Sequence, residues 1–437
     1  MNIEAFNAWI GANPQWLALV LFLVAFLECA AIVGIVLPGV VMLFAIAVLA
    51  GSGALGLGET LLLAFVGGLL GDILSYWLGR HFHQNIRRLP VLRHHPEWIA
   101  GAEGFFARNG VASLLVGRFI GAFRPFLPMI AGMLDMPFGR FLAVSVVAAA
   151  GWSVAYLLPG WTTGAAMRLP LPPGFWTEAA VVAAGLALMI GLLVRANLRR
   201  HVWTAPLAAG LNFILLLVLL LGWSHLDALD HGLMALVQER RTLWMNKLMV
   251  AVTRVGDFRT QLAAGAILAL LLAALRLWRH ALFAAASMLG TALLTDTLKK
   301  LFERARPEVI ADPLGAFSMP SGHSSAAFAF FLVLGLLASR EKPPRVGLVW
   351  LLLALIPAAS IAMSRVYLGA HWPSDIIAGA LLASSVCAAC LWLCQRRQPL
   401  PALSPRIWWT LLPACLLVLA IASGWGLTEA IHRYTPL

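Results

Sequence analysis

Long apolar stretches broken by short polar clusters run along this chain from end to end. In the first half they fall at about 16–37, 39–53, 60–79, 111–134, 138–158 and 176–195. In the second half they fall at about 207–223, 260–277, 281–298, 322–338, 346–363, 376–394 and 408–425. A helix that crosses a bilayer needs about 20 mostly apolar residues, and most of these stretches supply them. The pattern predicts an all-α polytopic membrane protein. Two places depart from it: only Pro38-Gly39 separates the first two stretches, and Arg124-Pro125 interrupts the fourth. Proline kinks would account for both breaks. So would paired re-entrant helices, whose backbone is tolerated at membrane depth only where protein or a wet cavity satisfies it.

Composition narrows the picture. Of 437 residues, 61% are hydrophobic and 11% charged, against about 25% charged in soluble domains. A soluble core on a single anchor is excluded, and so is disorder. The net charge of +12 sits largely in short loops: Arg195, Arg199 and Arg200; Arg276 and Arg279; Arg340, Lys342 and Arg345; Arg396, Arg397 and Arg406. Alternating spans bring these loops to one face, which the positive-inside rule assigns to the cytoplasm. No aromatic-basic array or zinc-finger spacing supports nucleic-acid binding. Cys29, Cys387, Cys390, Cys394 and Cys415 lie within apolar segments and read as packing residues, with no metal site. The stretch from Met1 to Pro14 carries Glu4 and no Lys or Arg, so it does not read as a signal peptide. The polar run at 194–206 gives the best boundary: a first domain over 1–197, a linker over 198–206, a second domain over 207–394 and an appended span within 395–437.

Three polar clusters stand at the outer ends of predicted spans in the second half. They are Lys299 to Pro307, Pro320-Ser321-Gly322-His323, and Ser364 to Asp375. Any single Lys or Arg among them could simply snorkel to the interface. Alternation brings all three to one face, however, which assembles a site for a phosphate. Lys299, Arg306 and Arg365 supply charge-assisted bonds to its oxygens. Ser321 and Gly322 open a helix whose free N–H groups favour an anion. His371, with Asp375 four residues on, has the orienting partner a nucleophile needs. His323 is left as the general acid for a leaving alcohol. Cations outnumber carboxylates, so neither a metal nor a cofactor is predicted.

The order and spacing of these clusters closely resemble the type 2 phosphatidic acid phosphatase superfamily: Lys, six residues, Arg-Pro; Pro-Ser-Gly-His; Ser-Arg, five residues, His, three residues, Asp. The resemblance covers about 207–394, including the stretch Thr253-Arg254-Val255-Gly256-Asp257. It implies a six-helix bundle, His371 as nucleophile and His323 as acid. The span at 408–425 lies beyond that fold and is expected to be one extra transmembrane helix.

The first half carries ionisable residues at membrane depth: Glu28, Asp72, Arg118 and Arg124. Such groups mark either an internal ion pair, such as Glu28 with an arginine, or a polar path for a headgroup or proton. With Pro38-Gly39, Gly71-Asp72, Tyr76, Gly79-Arg80, Arg118-Phe119, Arg124-Pro125, Gly132 and Gly151-Trp152, this half resembles the DedA family over about 15–170. The resemblance implies two re-entrant hairpins meeting at mid-membrane and transport of a lipid phosphate between leaflets. Val40 stands where the family often has an acid.

Both halves thus point to lipid phosphates and a bacterial inner membrane, with the phosphatase site facing the periplasm. The leading expectation is a bifunctional protein that dephosphorylates undecaprenyl diphosphate and returns the monophosphate across the membrane. The alternatives are a phosphatidic acid or phosphatidylglycerophosphate phosphatase, or a scramblase whose second half only binds. The expected partners are a lipid phosphate and membrane lipids, with a homo-oligomer left open and no nucleic acid.

Overall fold

The computed structural model describes residues 13–31, 34, 38–86, 104, 106, 112–118, 126–199, 203–239, 241–309, 317–424, 430, 431 and 434. These residues form helices joined by turns, and no strand occurs among them. Among the described residues, eight helices are long and apolar enough to cross a membrane, and this is a multi-pass membrane protein. The chain divides into two compact units, Met1–Pro170 and Leu171–Leu437.

The first unit contains α1 (Pro14–Cys29), α2 (Gly39–Leu49), α3 (Leu57–Ile86), α4 (Ala112–Gly117), α5 (Phe126–Met133) and α6 (Phe138–Arg168). At 1.5 Å per residue, the 16 residues of α1 and 11 of α2 reach only about 24 and 16 Å, short of a ~30 Å hydrocarbon core. Helices α4 and α5 are shorter still, with 6 and 8 residues. The broken elements therefore flank long spans, α3 and α6. The backbone at the end of α1 is satisfied from α3: the Ser75 hydroxyl accepts from Ala31 N–H at 2.7 Å and lies 3.1 Å from Cys29 O. Small residues bring these helices together. A methyl group added at Gly79 would run into the Met129 carbonyl, and one at Gly132 into the Tyr76 carbonyl, so α3 and α5 cross almost backbone to backbone. Tyr76 locks that crossing by donating to Met136 O at 2.5 Å and stacking on Phe141 at 4.4 Å.

The second unit contains α7 (Phe175–Leu198), α8 (Thr204–Gly222), α9 (Asp227–Gln238), α10 (Leu243–Val255), α11 (Phe258–Ala274) and α12 (Trp278–Phe302). It continues with α13 (Gly322–Ala338), α14 (Pro344–Tyr367), α15 (Pro373–Gln395) and α16 (Pro405–Gly424). Helices α10 and α11 make one apolar path bent by 43°. The core joins α11, α12, α13, α15 and α16 through Leu268, Phe283, Phe330, Cys387 and Leu411.

The division into units falls earlier than the boundary expected at 197, because α7 belongs with the second unit. Phe175 packs on Ala228 and Leu229 of α9, and the Glu178 carboxylate accepts from Leu229 N–H at 2.8 Å. Farther along, Leu186 and Met189 join Leu216 and Leu220. The polar run at 198–206 is then only the turn between α7 and α8. A second difference concerns 227–255, where the hydropathy pattern marks no helix. It forms α9 and α10, short amphipathic helices that lie beside the ends of the long spans and carry buried polar groups toward the histidines.

Candidate active site

In the second unit, local sequence aims the key carboxylate. Trp372 caps α15 and Pro373 occupies its first turn, so Asp375 can turn back on the cap and accept from Trp372 N–H at 2.9 Å. That oxygen, Oδ2, also accepts from the Ser318 hydroxyl and lies 3.4 Å from His371 Nδ1. On the other side of the ring, Arg306 stands 3.0 Å from His371 Nε2 while donating to Ala370 O at 2.7 Å. A guanidinium has donors and no acceptor. Nε2 must therefore carry the lone pair, and Nδ1 the proton that faces Asp375. The ring is buried, with its lone pair toward the cations.

The cations converge from three elements. Lys299, in the last turn of α12, donates to Phe317 O at 2.5 Å and lies beside Gly322. Arg365, in the last turn of α14, is 1% exposed and donates to Thr253 Oγ1 at 2.9 Å and to the Tyr434 hydroxyl at 2.7 Å. Together these charges act on His371, whose pKa falls well below the ordinary value through burial first, then Arg306, Arg365, Lys299 and His323. Arg306 is pushed down to about 10, by burial and then by Arg365, and remains a cation at neutral pH.

His323 sits in the first turn of α13, partly buried, with Nε2 2.9 Å from Asp257 Oδ1. Ser321 is placed as the cap of that helix, its hydroxyl accepting from Ser324 Oγ at 3.0 Å. It therefore holds the helix start in place. A methyl group at Gly379 would press on Ser321 O and Ser325 Oγ, so glycine there lets α15 lie against the start of α13.

Sequence reasoning gave no role to several residues of this site. Arg304, in the first cluster, donates to Asp375 Oδ1 at 2.9 Å and to Ser374 Oγ at 2.7 Å. Its other arm donates to Asp230 Oδ2 of α9 at 2.6 Å, and its guanidinium lies 4.5 Å from the Trp223 ring. Asp230 in turn accepts from Ser374 N–H at 2.8 Å. Asp230, Arg304, Ser374 and Asp375 thus make one buried network behind His371. Ser318, Asp257, Thr253 and Tyr434 were also passed over. No spacing rule links them to the motifs, although Thr253 and Asp257 open and close the stretch Thr253-Arg254-Val255-Gly256-Asp257.

In the first unit, Asp72 and Arg118 meet beside Cys29 at the end of α1, the residue next to Glu28. Arg118 makes an ion pair with Asp72, both 5% exposed, and lies 4.9 Å from the centre of the Trp152 ring. Cys29 Sγ is 3.5 Å from the same guanidinium. The Glu28 side chain packs over Gly39, where a methyl group would meet its carboxyl carbon, so that carboxylate lies at the positive end of α2. Arg124 lies outside the described residues.

These two constellations define a polytopic membrane protein with a buried carboxylate-arginine pair in one unit and a cation-ringed histidine pair in the other. The VTT domain family matches residues 37–162, and the PAP2 superfamily matches residues 280–399. The chain belongs to the VTT (DedA) family and carries a PAP2 superfamily domain behind it. It is 38% identical over 148 residues to inner membrane protein YabI of Escherichia coli, covering 34% of this chain and 58% of that one. It is 32% identical over 185 residues to the uncharacterized membrane protein Mb2670 of Mycobacterium bovis, covering 39% and 80%. The chain spans less than two thirds of the length of YabI and of the Buchnera aphidicola membrane protein BU139, 58% and 64%. A phosphatidylglycerolphosphate phosphatase from Bacillus subtilis matches at 23% identity and a TM-score of 0.39, over 44% of this chain and 98% of that one.

Proposed function

We propose that the second unit is a metal-independent lipid phosphatase that works through a phosphohistidine. The geometry that carries this reading is the Arg306 contact on His371 Nε2, which leaves that nitrogen's lone pair among the cations. His371 Nε2 attacks phosphorus and the P–O bond to the lipid breaks. His323 gives its proton to the departing oxygen, and Asp375 steadies the positive imidazole through Nδ1–H. Lys299, Arg306, Arg365 and the start of α13 hold the phosphate oxygens as charge moves onto them. Water then attacks phosphorus, its proton passing to His323, the P–N bond breaks with its electron pair returning to His371 Nε2, and inorganic phosphate leaves.

The substrate we favour is undecaprenyl diphosphate, and the first unit would return the resulting monophosphate across the bilayer through the Glu28, Asp72 and Arg118 region. The support is that a VTT domain and a PAP2 domain lie on one chain, which raises the local concentration of product at the translocating half. The arginine-rich ends of α12 to α15 lie away from the histidines, which supports a site facing the periplasm from a bacterial inner membrane. The deciding experiment is phosphate release by the purified chain in detergent, with chelator present, against undecaprenyl diphosphate, phosphatidic acid and phosphatidylglycerophosphate. The first should be turned over fastest, and His371→Ala should abolish release. Hydrolysis by His371→Ala, or loss of activity on chelation alone, would overturn the mechanism. A glycerophospholipid turned over fastest would overturn the substrate choice.

A further inference from the structure

The appended helix α16 closes a cavity that the phosphatase chemistry leaves unused. It holds about 730 Å³ between α13, α14 and α16, within the range of sites that hold small amphiphiles. Its walls are apolar and aromatic, including Phe331, Trp350, Trp408 and Leu416. The cavity lies toward the end of α13 opposite His323, and that helix has 17 residues, about 25 Å at 1.5 Å each. Its Arg340 end is therefore separated from the histidines by most of a bilayer core, while its inner end, at Phe330, stops about two helical turns from His323.

Two cations, Arg340 and Lys342, line its mouth. Arg340 donates to Gln395 Oε1 at 2.8 Å, while its Nε is buried with no hydrogen-bond partner among the described residues. Glu341 between them is exposed and does not line the cavity. Two cations at the rim of an apolar chamber suit an anionic group attached to a hydrocarbon chain. Tryptophans around the mouth are placed as at a membrane interface.

We infer that this cavity is a binding site for an anionic glycerophospholipid of the leaflet opposite the histidines, its acyl chain between α13, α14 and α16 and its phosphate against Arg340 and Lys342. The occupant is membrane lipid because the chamber opens at the apolar perimeter, where Trp350 is 43% and Leu416 60% exposed. It is anionic because both charged groups lining the mouth are positive. The appended helix then has a job independent of the phosphatase reading, which is to make a lipid seat.

The test uses the purified full-length chain in detergent, titrated with phosphatidylglycerol and with phosphatidylcholine of the same acyl chains, counting bound lipid by native mass spectrometry. One phosphatidylglycerol should bind about tenfold more tightly than phosphatidylcholine, and Arg340→Gln with Lys342→Gln should erase that preference. Arg396→Gln with Arg397→Gln, cations of the same end that do not line the cavity, should leave it intact. Leu416→Trp, a wall substitution at a partly exposed position, should weaken both lipids by filling the chamber, with helix content checked by circular dichroism. Equal affinity for the two lipids in the unaltered chain would overturn the proposal. So would an unchanged preference in the Arg340/Lys342 variant, or an equal loss in the Arg396/Arg397 variant. Tighter binding of a polyprenyl monophosphate than of phosphatidylglycerol at this seat would overturn the choice of occupant.

Discussion

Asp230→Asn changes one atom of the buried network and should weaken both the fold and the chemistry. Asp230 receives three hydrogen bonds: Ser374 N–H at 2.8 Å on Oδ1, and Arg304 at 2.6 Å and Ser374 Oγ at 2.6 Å on Oδ2. All three partners donate. Asparagine has one accepting oxygen, so either orientation of the amide turns an NH2 toward a donor. A hydrogen bond to a charged group contributes about 1.5–3 kcal/mol, and an unsatisfied buried donor adds a further penalty. With Asp230, Arg304 and Asp375 at most 5% exposed, solvent gives little relief, and the expected loss of stability is about 2–4 kcal/mol. The catalytic effect follows from Arg304. Without Asp230 it is held by Asp375 and Ser374 alone, and a tighter pull on Asp375 disturbs the carboxylate that steadies His371. A loss of about 1.4–2.7 kcal/mol of transition-state stabilisation is a 10- to 100-fold fall in kcat with KM little changed. Thermal unfolding in detergent followed by tryptophan emission, paired with phosphate release, measures both. An Asp230→Asn protein with unaltered melting and kcat would refute the network as a support for the nucleophile.

Other expectations follow from the same geometry. His371 attacks only when neutral, and a group is neutral above its pKa; since burial and the surrounding cations hold His371 well below the usual value, its acid limb should fall well below pH 6.5. A p-nitrophenyl phosphate assay, whose leaving group needs no proton, isolates that limb, and a midpoint near 6.5 would contradict the assignment. Tyr434→Phe removes the hydroxyl 2.7 Å from Arg365 and should weaken inhibition by inorganic phosphate or vanadate by about 3- to 10-fold, near 1 kcal/mol for one hydrogen bond; an unchanged inhibition constant would separate the tyrosine from the site. Gly132→Val sets a branched side chain against the Tyr76 carbonyl and should cost the first unit about 1–3 kcal/mol by overpacking, read as an earlier unfolding transition. A melting curve like that of the unaltered chain would mean that α3 and α5 can separate without cost.

The spans were legible because bilayer thickness fixes the length of an apolar helix, so thirteen stretches written from hydropathy alone find helices in the structure. The break at Pro38-Gly39 was legible as an interruption, while the one expected at Arg124-Pro125 lies outside the described residues. The consequence of the first was not legible, because the satisfaction of the backbone at Ala31 comes from Ser75, 44 residues away. The allegiance of α7 was hidden for a similar reason. Nothing in its uniformly apolar run tells which neighbours will cover it, while the Arg-rich turn after it looks like a domain boundary. Contacts of Phe175 and Glu178 with α9 decide the matter, and α9 itself leaves no mark in the hydropathy pattern because 12 residues with two acids near the start cannot cross a membrane.

The site divides along the same line. Lys299, Arg306, His323, His371 and Asp375 were readable because each lies in a short motif whose spacing places it at a helix end. Asp230, by contrast, lies outside every motif, and a lone aspartate on an amphipathic helix gives no sign of being fully buried. Its worth comes from Arg304, 74 residues on, whose charge would be costly to bury without it. Tyr434 shows the same limit from the far end of the chain: it reaches Arg365 across 69 residues from beyond the appended helix. Motifs name the groups that can touch phosphate. The groups that hold those in place are chosen by burial, which lets one side chain of almost any sequence position satisfy another. Substitutions at Asp230 or Tyr434 should therefore alter rate or phosphate affinity in a chain whose motifs are all intact.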